Sequence, residues 1–300
     1  RNRRFLDQLD PKYFGQIVSL AAVDLENEAA DRGALLLRST YHHAMETLFS
    51  SLGALAQAPG CVPGWLMKCR TEQLRSVVEM LRTGAPILTQ RGRQPTTFDH
   101  LATYVTQWCW HDESPPGTTA GRFAMLWHRL ANEFLDPVNV AEYNSIKHGL
   151  RIAPGGFGLS IGLQPAPDVP APPEAMQTLG FSKYGASFYR EEEVSTAGQK
   201  GNRSFRLRSI SLNWSPHAMA QRIQLIVFSL KSIVGALRIM NGAAPESVRF
   251  SRPDDPAAFD AAWAWHVGIN HTDLDVIIEP NNAARTSRQE LTNELEGRAG

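Results

Sequence analysis

SFRLRSISLNWSPHAMAQRIQLIVFSL, Ser204 to Leu230, changes its period halfway along. Up to Trp214 apolar and polar residues alternate, the repeat of a strand with one covered face. After Ser215-Pro216 the apolar residues recur every three to four positions, the repeat of a helix. Ser215 offers a side-chain acceptor to free backbone N–H groups, and Pro216 needs no partner for the N–H it lacks. The alternation also slips once. Phe205 and Leu207 share one parity, and Ile210, Leu212 and Trp214 share the other. A bulge near Arg208-Ser209 would reconcile them.

The same start signal recurs at Asp10-Pro11, Asp136-Pro137 and Asp255-Pro256. With the apolar periodicity it predicts helices at 11–30, 33–57, 63–83, 97–110, 119–135, 137–149, 216–241 and 256–266. Gly149 and Gly268 are natural C-terminal stops. GFGLSIGL gives a further strand signal before the proline-rich connector Leu163 to Ala175. Pieces around Ser247–Phe250 and Asp275–Glu279 could add strands, and the tail after Pro280 is polar. The expected fold is mainly α: a helical bundle with an inserted small antiparallel β-sheet, α+β overall. Residues 1–151 form the bundle and 152–213 the β insertion. Residues 214–242 are a long core helix completing the bundle, and 243–300 a C-terminal strand and helix segment with its tail.

Composition sets wide bounds. A chain of 300 residues with 43% hydrophobic and 20% charged residues is of ordinary globular type. Net charge is zero, but 151–240 is net positive and 241–300 net negative. The middle segment could therefore meet an anion and the tail could screen it. Cys61, Cys69 and Cys109 show no metal spacing and no paired framework, which suits a reducing cytoplasm. The apolar run around Ile223 to Met240 carries Lys231 and Arg238, so a core helix is expected and no membrane span. RNRRFLDQLD lacks the apolar stretch of a signal peptide.

Two polar stripes stand out. In EYNSIKHGLR, Glu142 to Arg151, the helical repeat places Asn144, Lys147, His148 and Arg151 on one side, with no carboxylate among them. In RSTYHHAMETLF, Arg38, His42 and Glu46 share a side of a helix that is apolar nearly all round, with His43 further round. Buried charges need partners, so Glu46 is expected to pair with Lys147 or Arg151 as a structural counter-charge.

Such groups are chemically adequate for metal-free RNA cleavage. That reaction needs a base near the 2′-hydroxyl, an acid near the leaving oxygen and cations for the developing charge. His148 with His42 or His43 would supply acid and base, and Arg38, Lys147 and Arg151 would hold phosphate. No cofactor and no metal is expected. The obvious carboxylates to join HHAME in a metal site are Glu133 and Glu142, too few for a di-iron bundle.

YNSIKHG resembles the RNxxxHG signature of HEPN domains, an all-helical superfamily of many prokaryotic toxins and defence nucleases. Asn144, His148 and Gly149 stand at the family's spacing, and Tyr143 replaces its arginine. A literal Arg-x4-His also occurs from Arg38 to His43. The resemblance covers residues 11–150 and the helix at 216–241. It implies a bundle that dimerises with two motifs facing across a cleft, a metal-independent endoribonuclease or RNA-binding protein. His148 would be its acid–base residue, and Asn144 would orient it or the phosphate. The sheet lies outside that pattern. Its strand with Arg203, Arg206 and Arg208 offers a secondary nucleic-acid surface, with aromatics Phe181, Tyr184, Phe188 and Tyr189 to stack bases.

A second reading differs in class. Here the protein is a non-catalytic interaction or binding protein, its partner another protein or a second copy. The stripes are then a structural hydrogen-bond network, and the sheet is the binding surface. Small-ligand binding between sheet and bundle is a third. Stripes open to a cleft favour catalysis, and stripes sealed against each other favour the second reading.

Overall fold

A computed structural model describes residues 1–90, 92–149, 151–194, 204–265 and 267–276. A short helix α1 (Asn2–Gln8) leads into α2 (Tyr13–Leu25) and the long α3 (Ala30–Gln57). The segment read as one helix over 63–83 is two, α4 (Val62–Lys68) and α5 (Thr71–Thr83). Cys69 and Arg70 are extended there, and the Arg70 N–H donates to the Gln73 side chain at the start of α5. Apolar spacing continues across such a joint, so periodicity alone does not reveal it. A hairpin, β1 (Pro86–Thr89) with β2 (Gly92–Pro95), separates α5 from α6 (Phe98–Thr106) and was not expected.

The remaining bundle helices begin where capping chemistry places them. α7 (Thr118–Leu135) is followed by α8 (Pro137–Lys147), whose cap Asp136 accepts from the N–H groups of Val138 and Asn139 at 2.7 and 3.1 Å. After the insertion, α9 (Pro216–Met240) starts with the Ser215 hydroxyl accepting from the Ala218 N–H. At Asp255-Pro256 the signal overstates the element. The helix α10 covers only Ala258–Ala261.

The strands are β3 (Ile152–Pro154), β4 (Gly158–Ile161), β5 (Gln177–Phe181), β6 (Gly185–Val194), β7 (Ser204–Asn213) and β8 (His271–Val276). Antiparallel pairing runs in the order β3-β6-β7-β8, and β4 with β5 forms a separate ribbon. The stretch around Ser247–Phe250 holds a 3₁₀ turn and no strand, while β8 takes up part of the C-terminal strand signal. No bulge occurs at Arg208-Ser209. The β6–β7 register is continuous through Arg190 opposite Arg208 and Tyr189 opposite Ser209. The parity slip has another cause. Ile210 and Leu212 bury against the bundle together with Ala186 and Phe188, while the far half of β7 projects past it and carries ion pairs.

Helices α3 and α9 form the centre. Leu37, Tyr41, Leu48 and Leu52 meet Ile223, Ile226, Leu230 and Ile233, all nearly inaccessible. Trp127 of α7 is buried and donates its indole N–H to Ser229 of α9 at 3.0 Å. In length and composition α9 could cross a membrane, but two thirds of its most apolar window lies inside the fold, as expected of a core helix. Asn213, at the end of β7, ties three segments together. Its side chain exchanges hydrogen bonds with both backbone groups of Phe157 and donates to the carbonyl of Ile269 at 2.8 Å.

Candidate functional site

Arg38, His42 and Glu46 sit on successive turns of α3 and face Asn139, Glu142, Tyr143 and Lys147 of α8. Residues four apart on a helix share a face, so each helix presents a polar ladder to the other. The seam centres on one carboxylate oxygen. Oε2 of Glu142 accepts from Nε and Nη2 of Arg38 at 2.9 and 2.5 Å and lies 3.0 Å from Nε2 of His42. Arg38 Nη2 also donates to Oδ1 of Asn139 at 2.8 Å. Glu142 is 0% exposed, His42 3% and Arg38 7%. The other oxygen of Glu142 is buried with no hydrogen-bond partner among the described residues.

The electrostatics follow from this geometry. Burial alone would push the Glu142 carboxyl up, but the Arg38 charge and the His42 contact outweigh it and hold it down at about 2. Burial likewise opposes the charge on Arg38, and Glu142 reverses the outcome and raises its pKa. His42 is lowered by burial and by the adjacent Arg38 charge, against the pull of Glu142. It is therefore neutral at neutral pH. Its Nε2 must carry the proton, because an ionised carboxylate only accepts.

One turn on, the Tyr143 hydroxyl donates to Glu46 at 2.8 Å, and its ring stacks on His42 at 5.0 Å between centroids. Burial and the Glu46 contact raise the phenol pKa. Lys147 reaches the same Glu46 oxygen at 3.1 Å, with its ammonium 4.0 Å from the Tyr143 ring centre. Glu46 thus pairs with Lys147, one of the two partners read from the sequence. The gap beside His42, walled by Glu46, Asn139 and Tyr143, encloses about 10 Å³. That is room for one water at most.

The predicted catalytic set is divided. Arg38 and His42 meet through Glu142, which leaves neither free to meet a phosphate or exchange a proton there. Asn144, His148 and Arg151 lie exposed at the end of α8, and Gly149 stops that helix at φ +58. No side-chain hydrogen bond or ion pair joins these three to the seam among the described residues. His43 is exposed on another side of α3, edge-on to Phe14 at 5.4 Å. Arg206 and Arg208 pair with Glu192 and with Asp273 and Asp275 of β8, so carboxylates occupy the proposed phosphate track. Asp273 and Asp275, from the net-negative C-terminal segment, thus meet two arginines of the net-positive middle. Arg203 lies outside the described residues. Phe188 is buried against the bundle, while Tyr189 and Phe181 are exposed.

A second polar cluster adjoins the seam. Glu133 of α7 accepts from the Tyr41 hydroxyl at 2.7 Å, from Arg222 at 3.2 Å and from the Trp263 indole at 2.9 Å. Burial and Glu133 raise the Tyr41 pKa well above its usual value. Glu133 and Glu142, singled out from sequence as spare metal ligands, are both held by arginines. Arg38, Glu133, Asn139 and Arg222 form one wall of a cavity of about 420 Å³, completed by Trp214 and Trp265. Sequence reasoning missed Arg222, Asn139 and Trp214. The signal available for Arg222 was a lone cation near the start of an otherwise apolar core helix. Comparison of the chain with family models, curated proteins and solved structures finds no match.

Proposed function

We propose that this chain is a non-catalytic binding protein, in which the α3 and α8 stripes fix the register of two helices. The observation that carries this reading is the single Glu142 oxygen, fully buried and shared by Arg38 and His42, which are themselves nearly inaccessible. A general base needs a lone pair within reach of substrate. His42 is 3% exposed, so the lone pair on its other nitrogen is out of reach of a substrate, and its Nε2 proton is spent on a buried carboxylate. Tyr143, which stands where the HEPN signature has arginine, faces inward onto Glu46 and His42 and brings no positive charge to a phosphate. A reducing, cytoplasmic setting belongs to the proposal and is supported by three free cysteines, Cys61, Cys69 and Cys109.

The HEPN-like, RNA-acting reading keeps one favourable observation. Asn144, Lys147, His148 and Arg151 leave amide, imidazole and two cations exposed at the end of α8. That set suits contact with an RNA backbone, by one copy or across a homodimer. Incubating the purified chain with total RNA in EDTA separates the two. The binding-protein reading expects no cleavage. Cyclic-phosphate ends produced by the wild type and lost in His148→Ala, at unchanged melting temperature, would overturn it in favour of a toxin- or defence-type ribonuclease.

A further inference from the structure

Two cavities lie side by side where the end of the sheet meets the bundle. The first, of about 420 Å³, is walled by Arg38, Glu133, Asn139 and Arg222. The second, of about 540 Å³, is walled by Val18, Ala22 and Leu25 of α2, Leu37 of α3, Phe181 and Ala220. They share Trp214, Ser215, Trp265 and Val267. Each falls in the size range of a small-molecule site. Together they make one cleft with a polar half and an apolar half. Its rim is pinned. The segment carrying Val267 and Gly268 is held by Asn213, which donates its backbone N–H to the Asn270 carbonyl and its side-chain amide to that of Ile269.

The charges of the polar half cancel. Arg38 belongs to Glu142 and Arg222 to Glu133, and Asp136 at the edge caps α8. Among the described residues no arginine or lysine of the lining is left unpaired for a phosphate or carboxylate, the other basic groups there are the imidazoles of His217 and His271, and an anion would face Glu133 and Asp136. Donors and acceptors are nonetheless plentiful. Trp214, in the shared wall, buries its indole N–H with no acceptor among the described residues.

We infer that this cleft binds a neutral amphipathic small molecule, with an uncharged head of hydroxyl and amide type in the polar half and an aliphatic chain in the apolar half. The inference rests on the reading of the chain as a binding protein, and the two fail separately: RNA cleavage ends that reading, and the titrations below decide this one.

The test is calorimetric titration of the full chain, with tryptophan fluorescence as second readout because Trp214 and Trp265 line the cleft. The probes are N-(2-hydroxyethyl) amides of six-, eight- and ten-carbon acids, against decanoate and decyltrimethylammonium. The neutral ten-carbon amide should bind at least tenfold tighter than either charged probe. Affinity should rise roughly fourfold per methylene while the chain fits. Ala22→Trp, on an exposed part of α2, should block the apolar half and weaken the amide at least tenfold at unchanged melting temperature. Val138→Trp should weaken it from the polar side. Failure of every probe to bind overturns the proposal. So does affinity indifferent to chain length or head charge, or an undiminished response in both tryptophan variants.

Discussion

Arginine meets glutamate in two places with opposite consequences. In the α3–α8 seam, Arg38 and Glu142 are buried, and a third group, His42, shares the same oxygen. On the far half of the sheet, Arg206 and Glu192 meet at 2.9 Å with side chains 43% and 37% exposed. The distances are alike and the solvent is not. A buried charge that loses its partner is stranded in a medium that solvates it poorly, whereas an exposed one is taken up by water. The first pair therefore acts as a constraint on helix register, and the second holds strand edges with little energy.

Glu142→Ala tests the contrast hardest. It strands Arg38 and should lower unfolding free energy by about 3–5 kcal/mol in urea titration. The pair Arg38→Met with Glu142→Leu should recover most of that loss, since apolar groups of similar size can replace a buried ion pair. A double variant no more stable than Glu142→Ala would mean the seam needs its charges.

Acid provides the next test. The Glu142 carboxyl is depressed in the fold, so its contribution is complete above its unfolded pKa near 4.5 and is lost as pH falls through about 2. His42 is also depressed, so the unfolded chain takes up its proton first and stability begins to fall below pH ~6.5. Together these predict a melting temperature that declines from pH ~6.5 and steepens below ~4.5. The upper part of the decline should be absent in His42→Gln. A profile unchanged by that substitution would remove His42 from the account.

Smaller effects follow. Tyr143→Phe deletes the hydroxyl that reaches Glu46 and should cost about 1 kcal/mol. Arg206→Ala should change stability least of these, and the change should shrink further at high salt. A loss there as large as in Glu142→Ala would erase the distinction between the two regions.

The legible parts of the sequence were the local ones. Capping at Asp136-Pro137 and Ser215-Pro216 is settled by a few neighbouring atoms, so both helix starts stand within one residue of their expected positions. The mainly helical bundle with its small antiparallel sheet follows from the switch of period at Trp214. Hairpin β1–β2 escaped because GRQP is polar throughout and offers no alternation to read. The phantom bulge at Arg208-Ser209 arose from treating β7 as covered along its whole length. Only the half near Ile210 meets the bundle. The site was harder still. The helical repeat puts Arg38, His42 and Glu46 on one side of α3 but cannot say that Glu142 fills the space they face. Glu142 reads as a spare carboxylate in the sequence because its partners lie about a hundred residues away along the chain.

Asn213 has a consequence for the order in which the molecule can be completed. Its amide joins a residue of the insertion, Phe157, to one near the C-terminal edge, Ile269. During synthesis residue 269 emerges long after 157 and 213. Until it does, the bundle and most of the sheet can assemble while the mouth of the cleft lacks one lip. A nascent chain halted before 269 lacks the Ile269 and Asn270 carbonyls that Asn213 holds, and with them one side of that opening.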